Sequence, residues 1–154
     1  MSGDRPRLPR ALLYGEVSAI VLASVLALPA LEAIPPLLVG VPILTYGWLG
    51  ARIAERAPGN AVGWLLSAPA TAAAAGLLGV SYSLWGERHG SPALPLAGAI
   101  EVVSASVSPV VIGVSLMLTF QLFPTGRPPS PGWRPVGWFT VAAGVASAAA
   151  IATS

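Results

Sequence analysis

The stretch VGWLLSAPATAAAAGLLGVSYSLW, residues 62–85, decides the architecture. Its 24 residues include no Asp, Glu, Lys, Arg or His. An α-helix needs about 20 apolar residues to cross the roughly 30 Å hydrocarbon core of a bilayer. This stretch supplies them, with Trp64 near one end and Tyr82 and Trp85 at the other. Amphipathic rings settle at headgroup level, so both ends read as membrane boundaries. The middle is built from small residues, Ala70-Thr71-Ala72-Ala73-Ala74-Ala75-Gly76 and then Gly79. Helices in lipid associate by close backbone approach rather than by water exclusion, so such a helix belongs inside a bundle.

The same ruler, moved outward, finds spans at about 11–31, 36–53, 96–123 and 136–152 on either side of 62–85. The expected fold is all-α, an integral membrane bundle of five transmembrane helices over residues 11–154, behind a basic cytoplasmic N-terminus over 1–10. The composition agrees. Of 154 residues, 55% are hydrophobic and 9% charged, with a mean hydropathy of +0.75, whereas a soluble domain carries about 25% charged residues. Arg5, Arg7 and Arg10 precede the first span as they would a signal peptide. However, the apolar run is too long for that, and Glu32 with Pro35-Pro36 replaces a small-residue cleavage site. The first span therefore reads as a retained helix.

Arginine placement orients the bundle. Arg5, Arg7, Arg10, Arg52, Arg56, Arg127 and Arg134 fall in alternate segments, and only Arg88 falls in the others. Positive charge collects on the cytoplasmic side, which puts the N-terminus and the loops near 55 and 130 inside. Trp48, Trp64, Trp133 and Trp138 gather at that same boundary. Gly144, Ser147 and Ala148 give the last span a small-residue stripe, so it too is expected inside the bundle. Pro42, Pro69 and Pro109 interrupt three spans. Each removes a backbone hydrogen bond, and two readings stay open: a hinge, or a static kink satisfied by neighbours such as Ser67 or Ser106. No internal repeat or inverted symmetry is visible, which counts against a transporter-type duplication.

The inventory of reactive side chains is short. With no Cys, no Lys and one His, thiolate metal sites, cysteine nucleophiles and Schiff-base lysines are excluded. No Gly-rich phosphate loop, Ser/His/Asp set or metal-spaced cluster occurs, so no catalytic residue, metal site or cofactor is expected. A net charge of +2 spread along the chain makes no nucleic-acid patch. Two carboxylates, Glu16 and Glu101, fall within spans. Charge in lipid is costly, so both are candidates for sensing or ion coordination, with polar packing as the alternative. They are expected near opposite membrane faces. His89, in Glu87-Arg88-His89-Gly90, is either an extracytoplasmic pH or metal sensor or a solvated loop residue.

Two loops carry the most specific pattern. The first reads Arg56-Ala57-Pro58-Gly59-Asn60-Ala61-Val62-Gly63-Trp64-Leu65-Leu66. Pro58-Gly59 turns the chain, Asn60 can cap the next helix, Gly63 permits close contact and Trp64 anchors at the interface. About sixty residues later come Leu122-Phe123-Pro124-Thr125-Gly126-Arg127-Pro128 and Trp133-Arg134-Pro135. There Pro124 ends a helix, Gly126 turns the chain, and both arginines lie at headgroup level.

R-x-P-x-N-x-x-G-W-L-L followed by L-F-P-x-G-R-x-P-S-x-x-W-R resembles the N-terminal transmembrane sensor region of bacterial two-component sensor histidine kinases. The ordered pair of motifs covers the chain nearly loop for loop. One position departs, since that family tends to place an acidic residue where Thr125 stands. The resemblance implies a bacterial plasma (inner) membrane location and multi-pass topology. It implies signal transduction by helix movement, with the bilayer, a homodimer mate or a membrane partner protein as partners. The phosphoacceptor and ATP-binding domains of that family are absent, and the fifth span would deliver the chain outside. The expectation is thus a non-catalytic sensor-like module lacking the kinase domain, with kinase activity only if the native chain continues beyond Ser154. A stand-alone membrane binding or assembly subunit is the alternative, and a small transporter a third.

Overall fold

The structure is a computed structural model and describes residues 7–27, 36–89 and 97–153. Helix α1 spans Arg7–Ala27, α2 Pro36–Arg56 and α3 Ala61–Arg88. Helix α4, Ala97–Val102, continues through a π turn, Val103–Val107, into α5, Ser108–Leu122. A 3₁₀ turn, Pro131–Trp133, leads into α6, Arg134–Ala152. The described residues contain no strand. Three helical stretches are long and apolar enough to cross a membrane: Leu8–Val25 in α1, Ala61–Arg88, and Gly98–Leu122 across the π turn. By length and composition these are the marks of a membrane protein.

The helices start and stop close to the sequence expectations, and the differences have local causes. Helix α1 already includes Arg7–Arg10, ahead of the expected start near residue 11; residues 1–6 and 28–31 lie outside the described residues. Helix α3 starts at a true cap. Asn60 is extended (φ −92°, ψ 113°) and its Oδ1 accepts from the Val62 N–H, relieving one of the unpaired donors at a helix start. It ends at His89, whose N–H and ring Nδ1 both meet the Trp85 carbonyl and whose ring stacks on Trp85 at 4.5 Å. The π turn sits just before Pro109. In a regular α-helix that ring would strike the carbonyl four residues back, and the wider turn removes the clash. Pro42 and Pro69, by contrast, are held inside continuous helices.

The long helices alternate in direction. The α2–α3 loop is four residues long, 57–60. The Arg10 guanidinium donates through Nε to Glu55 Oε1 at 2.8 Å, which puts the start of α1 beside the end of α2. Asn60 Nδ2 donates to the Pro124 carbonyl at 3.1 Å, which puts the end of α5 and the approach to α6 at that same end. Arg7, Arg10, Arg52, Arg56, Arg127 and Arg134 therefore gather at one end of the bundle, and Arg88 lies at the other.

Helix α3 is the centre, packed against α1, α2 and α5. Its closest crossing is with α2. A Cβ on Gly63 would stand 2.6 Å from the Ala54 backbone nitrogen, and one on Gly50 would stand 2.7 Å from the Gly63 carbonyl oxygen. Only hydrogen fits at either place. Farther along, Ile20, Ile43, Ala70 and Ala74 close a small apolar core among α1, α2 and α3. Helix α6 departs from expectation. It packs on α5, the π turn and the 3₁₀ turn, and makes no comparable contact with α1, α2 or α3. Its stripe supplies one point of close approach, Gly144 against Val114. Ser147 is exposed, and its hydroxyl turns back to the Ala143 carbonyl at 2.8 Å. One small residue is enough to dock on a single helix but not to be surrounded.

Candidate functional site

Two polar joints stand out in an otherwise apolar bundle. The first is Glu16. Its side chain is 2% exposed, the largest fully buried one among the described residues. Helix α1 carries it, α3 supplies its hydrogen bond, and α2 supplies the space. The Thr71 hydroxyl donates to Glu16 Oε1 at 2.8 Å and also lies 3.0 Å from the Ser67 carbonyl. One hydroxyl hydrogen is thus shared between two acceptors. Glu16 Oε2 is buried without a hydrogen-bond partner and lies against Gly47, where any Cβ would collide with it. A carboxyl held at a three-helix junction by one shared hydrogen bond has a contact that a small displacement of α1 from α3 would break.

Sequence reading singled out Glu16 but not its partners. Their signals were present. Thr71 is the one polar residue in the run from Ala68 to Ala75, and Gly40, Gly47 and Ala54 recur at seven-residue spacing along α2. Gly40 meets Ile20 as Gly47 meets Glu16, so these two glycines mark the seam between α1 and α2, whereas Ala54 lies against Gly63 of α3. Glu101 belongs to α4, and its side chain lies outside the described residues. Among the described residues, the helix carrying it does not pack against α1.

The second joint unites the two loop motifs at the arginine-rich end. Asn60 caps α3 with its carbonyl oxygen and, with its amide nitrogen, holds the Pro124 carbonyl. Gly126 presses on the same side chain. Its φ is +73°, and a Cβ there would overlap Asn60 Oδ1. Both the left-handed backbone and the close approach demand glycine. Thr125 and Arg127 close the turn by hydrogen bonds between the Thr125 hydroxyl and the Arg127 backbone. Pro58 and Gly59 make the turn that presents Asn60, and Gly63 with buried Val62 locks the start of α3 to α2. Trp64, Phe123, Trp133 and Arg134 stay exposed around the joint, and Arg56 ends α2 beside it.

Nearby, Glu55 is drawn below its ordinary carboxylate range by the Arg10 hydrogen bond first, and also by the charges of Arg10, Arg52 and Arg56. The Arg52 guanidinium lies 5.6 Å from the Trp48 ring centre, within cation–π range. Among the described residues, no cluster of His, Cys, Asp or Glu could hold a metal ion.

No protein family, curated protein or solved structure matches this chain. The site is read from its own geometry.

Proposed function

We propose that the chain is a multi-pass integral membrane protein of a bacterial inner membrane, with five spans and a cytoplasmic N-terminus. We read it as a non-catalytic, sensor-like module that passes a signal by helix movement, as its likeness to histidine-kinase membrane regions implies. The observation that carries this reading is the chain of contacts through α3. Glu16 of α1 is tied to Thr71 of α3, and the cap of α3, Asn60, holds the loop that feeds α6. A shift of α1 against α3 is thereby delivered to α6 at the arginine-rich end. A two-state arrangement of this kind is what a ligand or the bilayer can bias.

The test uses the absence of native cysteine. Nitroxides are placed at Leu8→Cys and Val136→Cys, both exposed at the ends of α1 and α6. Pulsed electron spin resonance then reads their separation in bilayers of short- and long-chain lipid. The reading expects two distance populations whose ratio follows bilayer thickness, and expects Asn60→Ala to abolish that dependence. One unchanging population, or a response indifferent to Asn60→Ala, would refute it.

A stand-alone membrane assembly subunit is the second reading, favoured by α6. Trp138 is 75% exposed and Phe139 74%, on a helix whose described packing is confined to one side. A homodimer mate or a membrane partner protein would cover the exposed aromatic surface that α5 leaves open.

A further inference from the structure

Beside the loop joint, where α5 ends and α6 begins, lies an open groove of about 250 Å³. Its lining includes the apolar Leu118 and Leu122 of α5 and Val141 of α6, the indoles of Trp133 and Trp138, and the exposed Arg134. Gly137 leaves the floor open, because a Cβ there would meet nothing closer than 3.7 Å. Arg134 is exposed and has no hydrogen bond or ion pair with any described side chain. Arg10, at the same end, is by contrast committed to Glu55. An unneutralised guanidinium over an apolar slot flanked by indoles matches one kind of molecule, with an anionic head and a hydrocarbon tail.

We infer that this groove is a binding site for one anionic phospholipid, its phosphate on Arg134 and an acyl chain along Leu118, Leu122 and Val141. The inference rests on the multi-pass reading above and adds a ligand to it. Charge selects the occupant. A guanidinium forms paired, charge-assisted hydrogen bonds with phosphate oxygens. A zwitterionic lipid brings its own cation to the same place and gains less. The amide of Gln121, which donates to Thr140 Oγ1 at 3.2 Å and lines the groove, has a second N–H for the glycerol ester region. A lipid seated here contacts α5 and α6 together and would brace a helix that packs mainly on α5.

The chain is purified in a mild detergent and titrated with phosphatidylglycerol or phosphatidylcholine of matched tails, with bound lipid counted by native mass spectrometry. One phosphatidylglycerol per chain is expected to be retained in preference to phosphatidylcholine. Loss of one basic contact near the surface is worth about 1 kcal/mol, so Arg134→Gln should weaken phosphatidylglycerol about fivefold. Gly137→Leu should fill the groove and remove the bound lipid while leaving the protein folded. Arg56→Gln, at the same end but away from the groove, should change nothing. Equal retention of the two lipids, or equal losses in Arg134→Gln and Arg56→Gln, would overturn the site. Carbonate extraction of the native membranes separates the two levels: release of the protein would overturn the multi-pass reading as well, whereas a retained protein without lipid preference overturns the groove alone.

Discussion

Helices α3 and α6 look alike in composition, each apolar and studded with small residues, yet one is the hub of the bundle and the other its outrigger. The difference lies in how the small residues are distributed. Helix α3 presents Gly63 to α2, Ala70 and Ala74 to the core with α1 and α2, and Gly79 to Ile100 of α4 and Ser104 of the π turn. Small residues on several sides let several helices approach. Helix α6 offers Gly144 to Val114 and little else. Counting small residues is therefore a poor guide to burial in lipid, and their angular spread around the helix is a better one.

Paired glycine substitutions sharpen this contrast most. Gly63→Leu drives a side chain into the backbone of α2 and should cost about 1–3 kcal/mol, enough to lower the melting transition followed by tryptophan fluorescence in detergent. A Cβ at Gly137 on α6 meets nothing closer than 3.7 Å, so Gly137→Leu should gain up to about 1 kcal/mol from helix propensity. Equal effects at the two positions would erase the distinction between hub and outrigger.

Next in size is the cap. Asn60→Ala removes the bond to the Val62 N–H and the hold on the Pro124 carbonyl together, for an expected loss of about 1 kcal/mol. Hydrogen exchange should rise at both the start of α3 and the 123–130 loop. A rise at α3 alone would mean that the two loops are not coupled.

A smaller effect is expected from the polar pairs. A double-mutant cycle of Glu16→Ala with Thr71→Val should give about 0.6 kcal/mol of coupling, the usual size for hydrogen bonds inside a bundle. The Gln121–Thr140 pair between α5 and α6, longer at 3.2 Å, should give less. A larger value at Gln121–Thr140 would reverse the ranking of the two helices.

The smallest effect belongs to the exposed Arg10–Glu55 pair. Because Glu55 titrates below its ordinary value of 4.5 in the folded protein, its contribution is present above that value. It is lost as pH falls through the lowered one. Acid melting curves of the native chain and Glu55→Gln should converge at low pH and separate slightly as pH rises. Separation only on the acid side would contradict the assignment.

Much of this architecture was legible in the residues. The span at 62–85 needed only its length and lack of charge, and Asn60, Pro58 and Gly126 announced a cap and two turns. What could not be read was pairing. Nothing local says that Asn60, which caps its own helix, also holds a carbonyl 64 positions away. Likewise, the lone Thr71 and the seven-residue spacing of Gly40 and Gly47 were visible, but their pairing with Glu16 depends on the register between helices. The π turn escaped as well. Pro109 signalled a break, but proline alone does not choose between a kink and an inserted residue.

The central claim is that the loops at 57–60 and 123–133 share one side of the membrane and the α3 C-terminus lies on the other. Single cysteines at Gly59, Ser130 and Glu87, all exposed, can be tested in a chain that has none of its own. A membrane-impermeant maleimide is applied to spheroplasts and to inverted vesicles. The account predicts labelling of Gly59→Cys and Ser130→Cys only in inverted vesicles, and of Glu87→Cys only in spheroplasts. Labelling of Gly59→Cys and Ser130→Cys from opposite sides, or of Glu87→Cys from the same side as either, would contradict it.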